Sequence, residues 1–321
     1  MVTELRSLAI VGGLKRLGFD ITLAALNSGH FTNGVLCVIR EYQDPLKPQD
    51  LENIQKIEQK GGKVIRLDVS KDRSETVNAL KGINAVVSFQ FADGESQDEV
   101  KAFIDDCVTA GVKRFVPNVF GVDYFVNNLP WLRPRAEIHA HLESSAIEYT
   151  EIVNGFFADV TNLSHPSILG INWETMTAKY HGPIADAPIS FTFRKDVADL
   201  VILALKNPNV SRNKVLRVQG DRKSVNEIIG LYERVSGLTF EKVGVTEDLE
   251  KEVKEGDLLP DDFDWGNPET VGPFAKMALR GTGVVDPNGE GVDNGLFLEW
   301  VPQSMERHAE LIWEWVQTVR K

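Results

Sequence analysis

Short apolar runs recur along the first half of the chain, and longer stretches with helical periodicity separate them. The runs are Leu8 to Val11, Val35 to Ile39, Lys63 to Leu67, Ala85 to Phe89, Arg114 to Pro117 and Tyr149 to Val153. Most lack polar alternation, which predicts strands buried on both faces. Between them, Leu17, Ile21, Ala24 and Ala25 mark the buried face of a helix running to Asn27, and Leu51, Ile54 and Ile57 mark a second within 41–62. Further helices are predicted at Ser74 to Leu80, Glu99 to Ala110 (ended by Gly111) and Pro134 to Ser145. Strand and helix in strict alternation predict an α/β fold built on a doubly wound parallel sheet.

After Asn154 the rhythm breaks. Residues 156–188 mix aromatic and polar side chains, among them Phe156, Phe157, Trp173, Tyr180 and His181. A strand at Phe191 to Phe193, a helix at Val197 to Leu205 and a strand at Val215 to Val218 follow. Ser224 and Glu227 have capping-box spacing and predict a helix start. Residues 244–268 are acidic, Gly281 to Gly295 reads as an exposed loop, and Ser304 to Val319 as a closing helix pinned by Trp300, Trp313 and Trp315. The domain reading is therefore a nucleotide-binding unit over 1–155, with 189–219 returning strands and a helix to it. A smaller α+β substrate region takes 156–188 and 220–321.

The first predicted strand runs into Gly12-Gly13, with Gly18 on the next helical turn. Strand, glycine turn and helix open a Rossmann-type dinucleotide site, where glycines let the backbone approach a pyrophosphate at a helix N-terminus. The central glycine position holds Lys15, which either crowds a diphosphate or pairs with it. Arg40 ends the second strand, where an arginine suits the 2′-phosphate of NADP and an acid would suit NAD. Asp68 ends the third strand, with two roles open: bonding an adenine amino group or capping the next turn.

With these features in place, several segments together resemble the NmrA-like and isoflavone-reductase-like atypical short-chain dehydrogenases. They are Gly12 to Gly18, Arg40, Gly111 to Tyr124, Ile147 to Phe157 and Arg194 to Ala198. The resemblance implies an NADP(H) cofactor across the strand ends. Gly12, Gly13 and Gly18 line its pyrophosphate, Arg40 takes its 2′-phosphate, and Phe89 and Gln90 approach the ribose. Pro117 and Phe120 back the nicotinamide, with Asn154 and Phe156 beside it. Core packing is the competing role for Phe89, Phe120 and Phe156. The resemblance also implies a catalytic lysine at the start of the helix before the sixth strand. Here that segment reads Arg135-Ala-Glu-Ile-His139, and no lysine occurs between Lys113 and Lys179. Arginine binds ribose or stabilises an oxyanion but does not give up its proton. His139, at i+4 from Arg135, is the local acid by pKa, with His141 a weaker choice. Tyr124, Asp123, Tyr180 and His181 are further candidates.

The net charge of −12 argues against nucleic acid or an anionic membrane as partner. Two cysteines in apolar runs, Cys37 and Cys107, suggest buried thiols in a reducing compartment. A strand beginning at Leu8 suggests no signal peptide. No zinc spacing, Walker A lysine or Gly-x-Ser-x-Gly elbow occurs. Three functions remain, ordered by the resemblance. The first is a cytoplasmic, monomeric or homodimeric NADPH-dependent reductase of a small aromatic or polyketide-like natural product. The second is a non-redox cyclase, isomerase or dehydratase on the same scaffold. The third is an NADP-sensing regulator without turnover.

Overall fold

The structure is a computed structural model and describes residues 4–39, 46–71, 73–90, 96–127, 132–159, 169–178, 186–243, 281–289 and 291–319. Its first half alternates as the apolar runs predict. The elements are β1 (Leu8–Val11), α1 (Arg16–Asn27), β2 (Val35–Ile39), α2 (Pro48–Gln59), β3 (Lys63–Arg66), α3 (Arg73–Leu80), β4 (Ala85–Ser88), α4 (Gln97–Ala110), β5 (Arg114–Val116), α5 (Arg133–Ser144) and β6 (Glu148–Val153). Then come β7 (Phe156–Phe157), β8 (Ile171–Asn172), β9 (Thr177–Ala178), β10 (Ile189–Thr192), α6 (Arg194–Lys206), α7 (Pro208–Ser211), β11 (Lys214–Arg217), β12 (Asp221–Lys223), α8 (Val225–Ser236), β13 (Glu241–Lys242) and α9 (Met305–Val319).

Seven strands form one sheet in the order β11-β6-β5-β4-β1-β2-β3, and each pairing is parallel. The order reverses beside β1, so the crevice for a ligand opens at the C-terminal ends of β1 and β4. Side chains of β1 alternate between the faces. Leu8 and Ile10 pack with Leu17, Ile21, Val197 and Val201 of α1 and α6, while Ala9 and Val11 pack with Phe103 and Ile104 of α4. Each fully buried Leu, Ile, Val or Phe side chain among them stabilises the fold by roughly 1.5–3 kcal/mol.

The segment 189–219 divides between two sheets. β11 extends the large sheet beside β6, whereas β10 pairs with β7 and β12 in a separate three-stranded sheet. That small sheet shares a core with α8 and α9, built on Phe191, Ile228, Tyr232, Met305 and Ile312. The predicted capping box holds: Ser224 accepts from the Glu227 amide and Glu227 from the Ser224 amide. The exposed-loop expectation for 281–295 needs correction. Val284 and Val285 are buried, and the Ser190 amide donates to the Gly283 carbonyl at 3.1 Å. The Val285 amide in turn donates to Ser190 Oγ at 3.2 Å, which ties the segment to β10. Among the described residues no helix is long and apolar enough to cross a membrane, and no His, Cys, Asp and Glu cluster suits a metal ion.

Candidate active site

The glycine turn is closed by the protein's own packing. Gly12 adopts φ +83, and a Cβ there would lie 3.0 Å from Phe89 Cβ. A Cβ on Gly13 would lie 2.7 Å from Thr22 Oγ1, and one on Gly18 would collide with the Gly12 carbonyl oxygen. Thr22 Oγ1 donates within reach of the Gly13 and Gly18 carbonyls, at 3.0 and 2.8 Å. This packing brings α1 close behind the strand. Its first turn carries no side-chain cap and no acidic residue, so its first amides lack a side-chain acceptor, as suits an anion-binding helix start. Lys15 is exposed and leans toward α2, its ammonium 3.5 Å from buried Asp50. The left-handed backbone falls on the following residue, Arg16, at φ +49.

Around the strand ends the sequence candidates separate by role. Arg40 lies outside the described residues, as do Tyr180 and His181. Asp68 caps its own turn: it accepts from the Ser70 amide at 3.1 Å and pairs with Lys71 at 2.8 Å. Phe89 and Phe120 stack at 5.7 Å. Gln90 is buried, and its Nε2 has no partner among the described residues. Asn118 on the neighbouring strand end donates to the Gln90 carbonyl at 3.2 Å, next to buried Pro117. Asn154 is a brace: its Oδ1 accepts from the Gly121 amide at 2.9 Å, and Gly121 O accepts from the Asn154 and Gly155 amides. Phe156 turns into the small-sheet core, 6.2 Å from Phe191.

Arg135 sits on the first turn of α5, half-buried, and donates to the Val119 carbonyl at 3.4 Å. No carboxylate pairs with it among the described residues, and burial pulls its guanidinium down to about 10. Tyr124 is buried, and its hydroxyl donates to Glu151 Oε2 at 2.8 Å. His139 Nδ1 reaches the same oxygen at 2.8 Å. Burial and the Glu151 charge push the Tyr124 hydroxyl far up, while the hydrogen bond to Glu151 raises His139. His141 bonds Asp105 at 2.9 Å on the outer side of the helix.

Two participants were not among the sequence candidates. Glu151 is one, although a charge inside the apolar run Tyr149 to Val153 was the available signal. Arg217 is the other. Its Nε lies 2.7 Å from fully buried Asp123, and its guanidinium lies 5.5 Å from the Phe125 ring centroid.

Uncapped glycine turn, switch point and lined strand ends define a Rossmann-type dinucleotide-binding protein. The sequence matches the NmrA-like family over residues 5–267, and the chain belongs to that family. It is 28% identical over 263 residues to a phenylcoumaran benzylic ether reductase of Betula pendula, covering 78% of this chain and 81% of that one. It is 28% identical over 275 residues to an isoflavone reductase homolog of Zea mays, covering 80% and 84%. Among solved structures, AtPrR2 with NADP+ and (+)pinoresinol superimposes with a TM-score of 0.75 at 19% identity, covering 97% of this chain and 100% of that one. An isoflavone reductase crystal structure gives 0.72 at 19%, covering 98% and 100%.

Proposed function

We propose that this protein is an NADPH-dependent reductase of a small aromatic molecule. The observation that carries the reading is the glycine turn at the switch point of the sheet, leading into a helix whose first turn has no side-chain cap and no acidic residue, beside the Phe89–Phe120 stack. The residues fit the cofactor. Gly12, Gly13 and Gly18 permit the tight turn that brings the uncapped start of α1 to the strand ends, buried Gln90 Nε2 is a donor without a partner among the described residues, and by residue type Arg40 suits a 2′-phosphate. NADPH, when bound, supplies a hydride. Arg135 contributes positive charge where a substrate oxygen becomes negative. The aromatic substrate class follows from the relatives, a phenylcoumaran benzylic ether reductase and an isoflavone reductase homolog. The reading carries with it a monomeric or homodimeric enzyme of the cytoplasm. The net charge of −12 argues against nucleic acid or an anionic membrane as its main partner.

The test is NADPH titration by fluorescence, then incubation with a phenylcoumaran, pinoresinol and an isoflavone. Loss of reduced-cofactor absorbance with a product two hydrogens heavier supports the reductase. A second reading has one observation in its favour: Arg135 at the lysine position cannot itself donate a proton. It is a non-redox isomerase or cyclase, and a product isomeric with substrate, formed without cofactor loss, would establish it. Tight NADPH binding with no product would point to a sensor.

A further inference from the structure

We propose that Glu151 is the hub of a proton relay running from Glu143 at the surface, through His139 and Glu151, to the Tyr124 hydroxyl. Tyr124 then delivers the proton that reduction of the substrate requires. The inference rests on the reductase reading above and names the groups that replace the missing lysine.

The geometry is continuous. Glu143 is 59% exposed, and its Oε1 lies 3.5 Å from His139 Nε2. His139 Nδ1 lies 2.8 Å from Glu151 Oε2, and Tyr124 OH lies 2.8 Å from that same oxygen. Exposure falls along the path, from the 59% of Glu143 to 13% at the His139 side chain and 0% at Glu151. Glu151 Oε1 is also buried and has no partner among the described residues. A carboxylate kept only to hold structure is expected to have its buried oxygens bonded. Here two donors crowd onto one oxygen, the arrangement that lets a proton pass between them. Phe125 and Tyr149 hold the imidazole by edge contacts at 5.0 and 5.5 Å. At the inner end, the Tyr124 hydroxyl and the Arg135 guanidinium act on one another electrostatically.

The transfers balance. As hydride adds to an electrophilic carbon of the substrate, the displaced electron pair moves to a conjugated oxygen. Tyr124 gives its proton to that oxygen, Glu151 passes one to Tyr124, and cationic His139 passes one from Nδ1 to Glu151. A change of tautomer and protonation at Nε2 from solvent by way of Glu143 restore the ring. With the hydride that bound NADPH would supply, the substrate would gain one hydride and one proton, the proton coming from water through this chain's own residues. Moving together, these transfers avoid a buried phenolate, which burial and the Glu151 charge oppose. The groups facing His139 are Glu143 on its own helix, Glu151 and Tyr149 on β6, and Tyr124 on the β5–α5 connection. Tyr124 is the catalytic residue in this scheme; Glu151 and His139 act through it.

The experiment has a cofactor-free arm and a turnover arm. In the first, the His139 ring of the labelled full-length protein is titrated by NMR in wild type, Glu151→Gln and Tyr124→Phe. Wild-type His139 is expected to titrate above 6.5, and Glu151→Gln to move it down. In the second, kcat is measured against pH with whichever substrate of the panel the wild type reduces. Wild-type kcat should fall as pH rises and His139 loses its proton. Glu151→Gln and His139→Asn should lose that limb, and Tyr124→Phe should lower kcat about 100-fold or more. NADPH affinity, unchanged in all three, controls for folding. A His139 titration indifferent to Glu151→Gln would overturn the relay, as would a Tyr124→Phe enzyme with wild-type rate and pH limb. Absence of NADPH binding in the wild type would overturn the reductase reading instead, and the His139–Glu151 coupling would still be measurable.

Discussion

Arg135 and Lys15 depart from the pattern of the family at single positions, and the structure gives them opposite weights. Arg135 is half-buried and unpaired by any carboxylate among the described residues, so its charge is available to a ligand. Arg135→Ala is expected to lower kcat by roughly 10²–10³, the usual loss on removing one oxyanion donor, with NADPH affinity retained. Arg135→Lys is expected to supply a titratable donor beside Tyr124. Steady-state kinetics should then show kcat becoming less sensitive to Glu151→Gln than in the arginine enzyme. Lys15 is different: it is 64% exposed and directed to Asp50. Such a pair contributes about 0–1 kcal/mol. Lys15→Ala should therefore shift NADPH affinity by less than about fivefold, and a larger loss by calorimetry would mean that Lys15 reaches the diphosphate. Neither distinction was legible from residue type, because a lysine's reach depends on α2, which the sequence places only by period. Glu151 was visible as a charge in an apolar run, but its two donors come from a loop and a helix that only the fold brings together.

The elements explain why the first half of the chain was readable and the second was not. β1, β2 and β4 are continuous apolar runs buried on both faces, a signal that survives without knowledge of their neighbours. β7, β8, β9 and β13 are two residues each, too short to show any period. β10 is apolar enough to read as a strand, yet nothing local says that it leaves the large sheet for the small one. The glycine turn links element to site. Gly18 lets α1 pack against the Gly12 carbonyl, and an added methyl would also meet Gly12 C at 3.1 Å and Gly13 Cα at 3.2 Å. Those atoms are backbone and cannot swing aside. Gly18→Ala should cost about 1–3 kcal/mol in urea unfolding, as overpacking does. It should also weaken NADPH binding, because pushing α1 outward moves its first-turn amides. A variant with wild-type stability and affinity would show that the turn relaxes freely.

At the scale of the whole molecule, the small-sheet region is tied together by a buried tyrosine–histidine pair, and that pair sets an acid limit on the fold. His308 of α9 has no exposed surface. Its Nδ1 donates to the Ala158 carbonyl at 2.9 Å, and its Nε2 accepts from Tyr232 of α8 at 2.7 Å. Both of these hydrogen bonds use the neutral ring, and burial lowers His308 from 6.5 to about 4. The unfolded chain therefore binds a proton here that the folded chain refuses between those values, and stability falls as pH drops from 6.5 toward 4. The full span corresponds to about 3 kcal/mol. His139 has the opposite sign. Its raised value stabilises the fold below 6.5, and that contribution disappears as pH rises through the folded value. Measuring the difference between wild type and His308→Gln cancels His139 and the carboxylates common to the two proteins. The glutamine keeps an acceptor for Tyr232 but does not titrate. Urea unfolding from pH 7 to 4 should show the variant losing less stability than wild type, by up to about 3 kcal/mol. Parallel curves would mean that His308 is protonated within the fold, and that the contact between α8, α9 and Ala158 survives its charge.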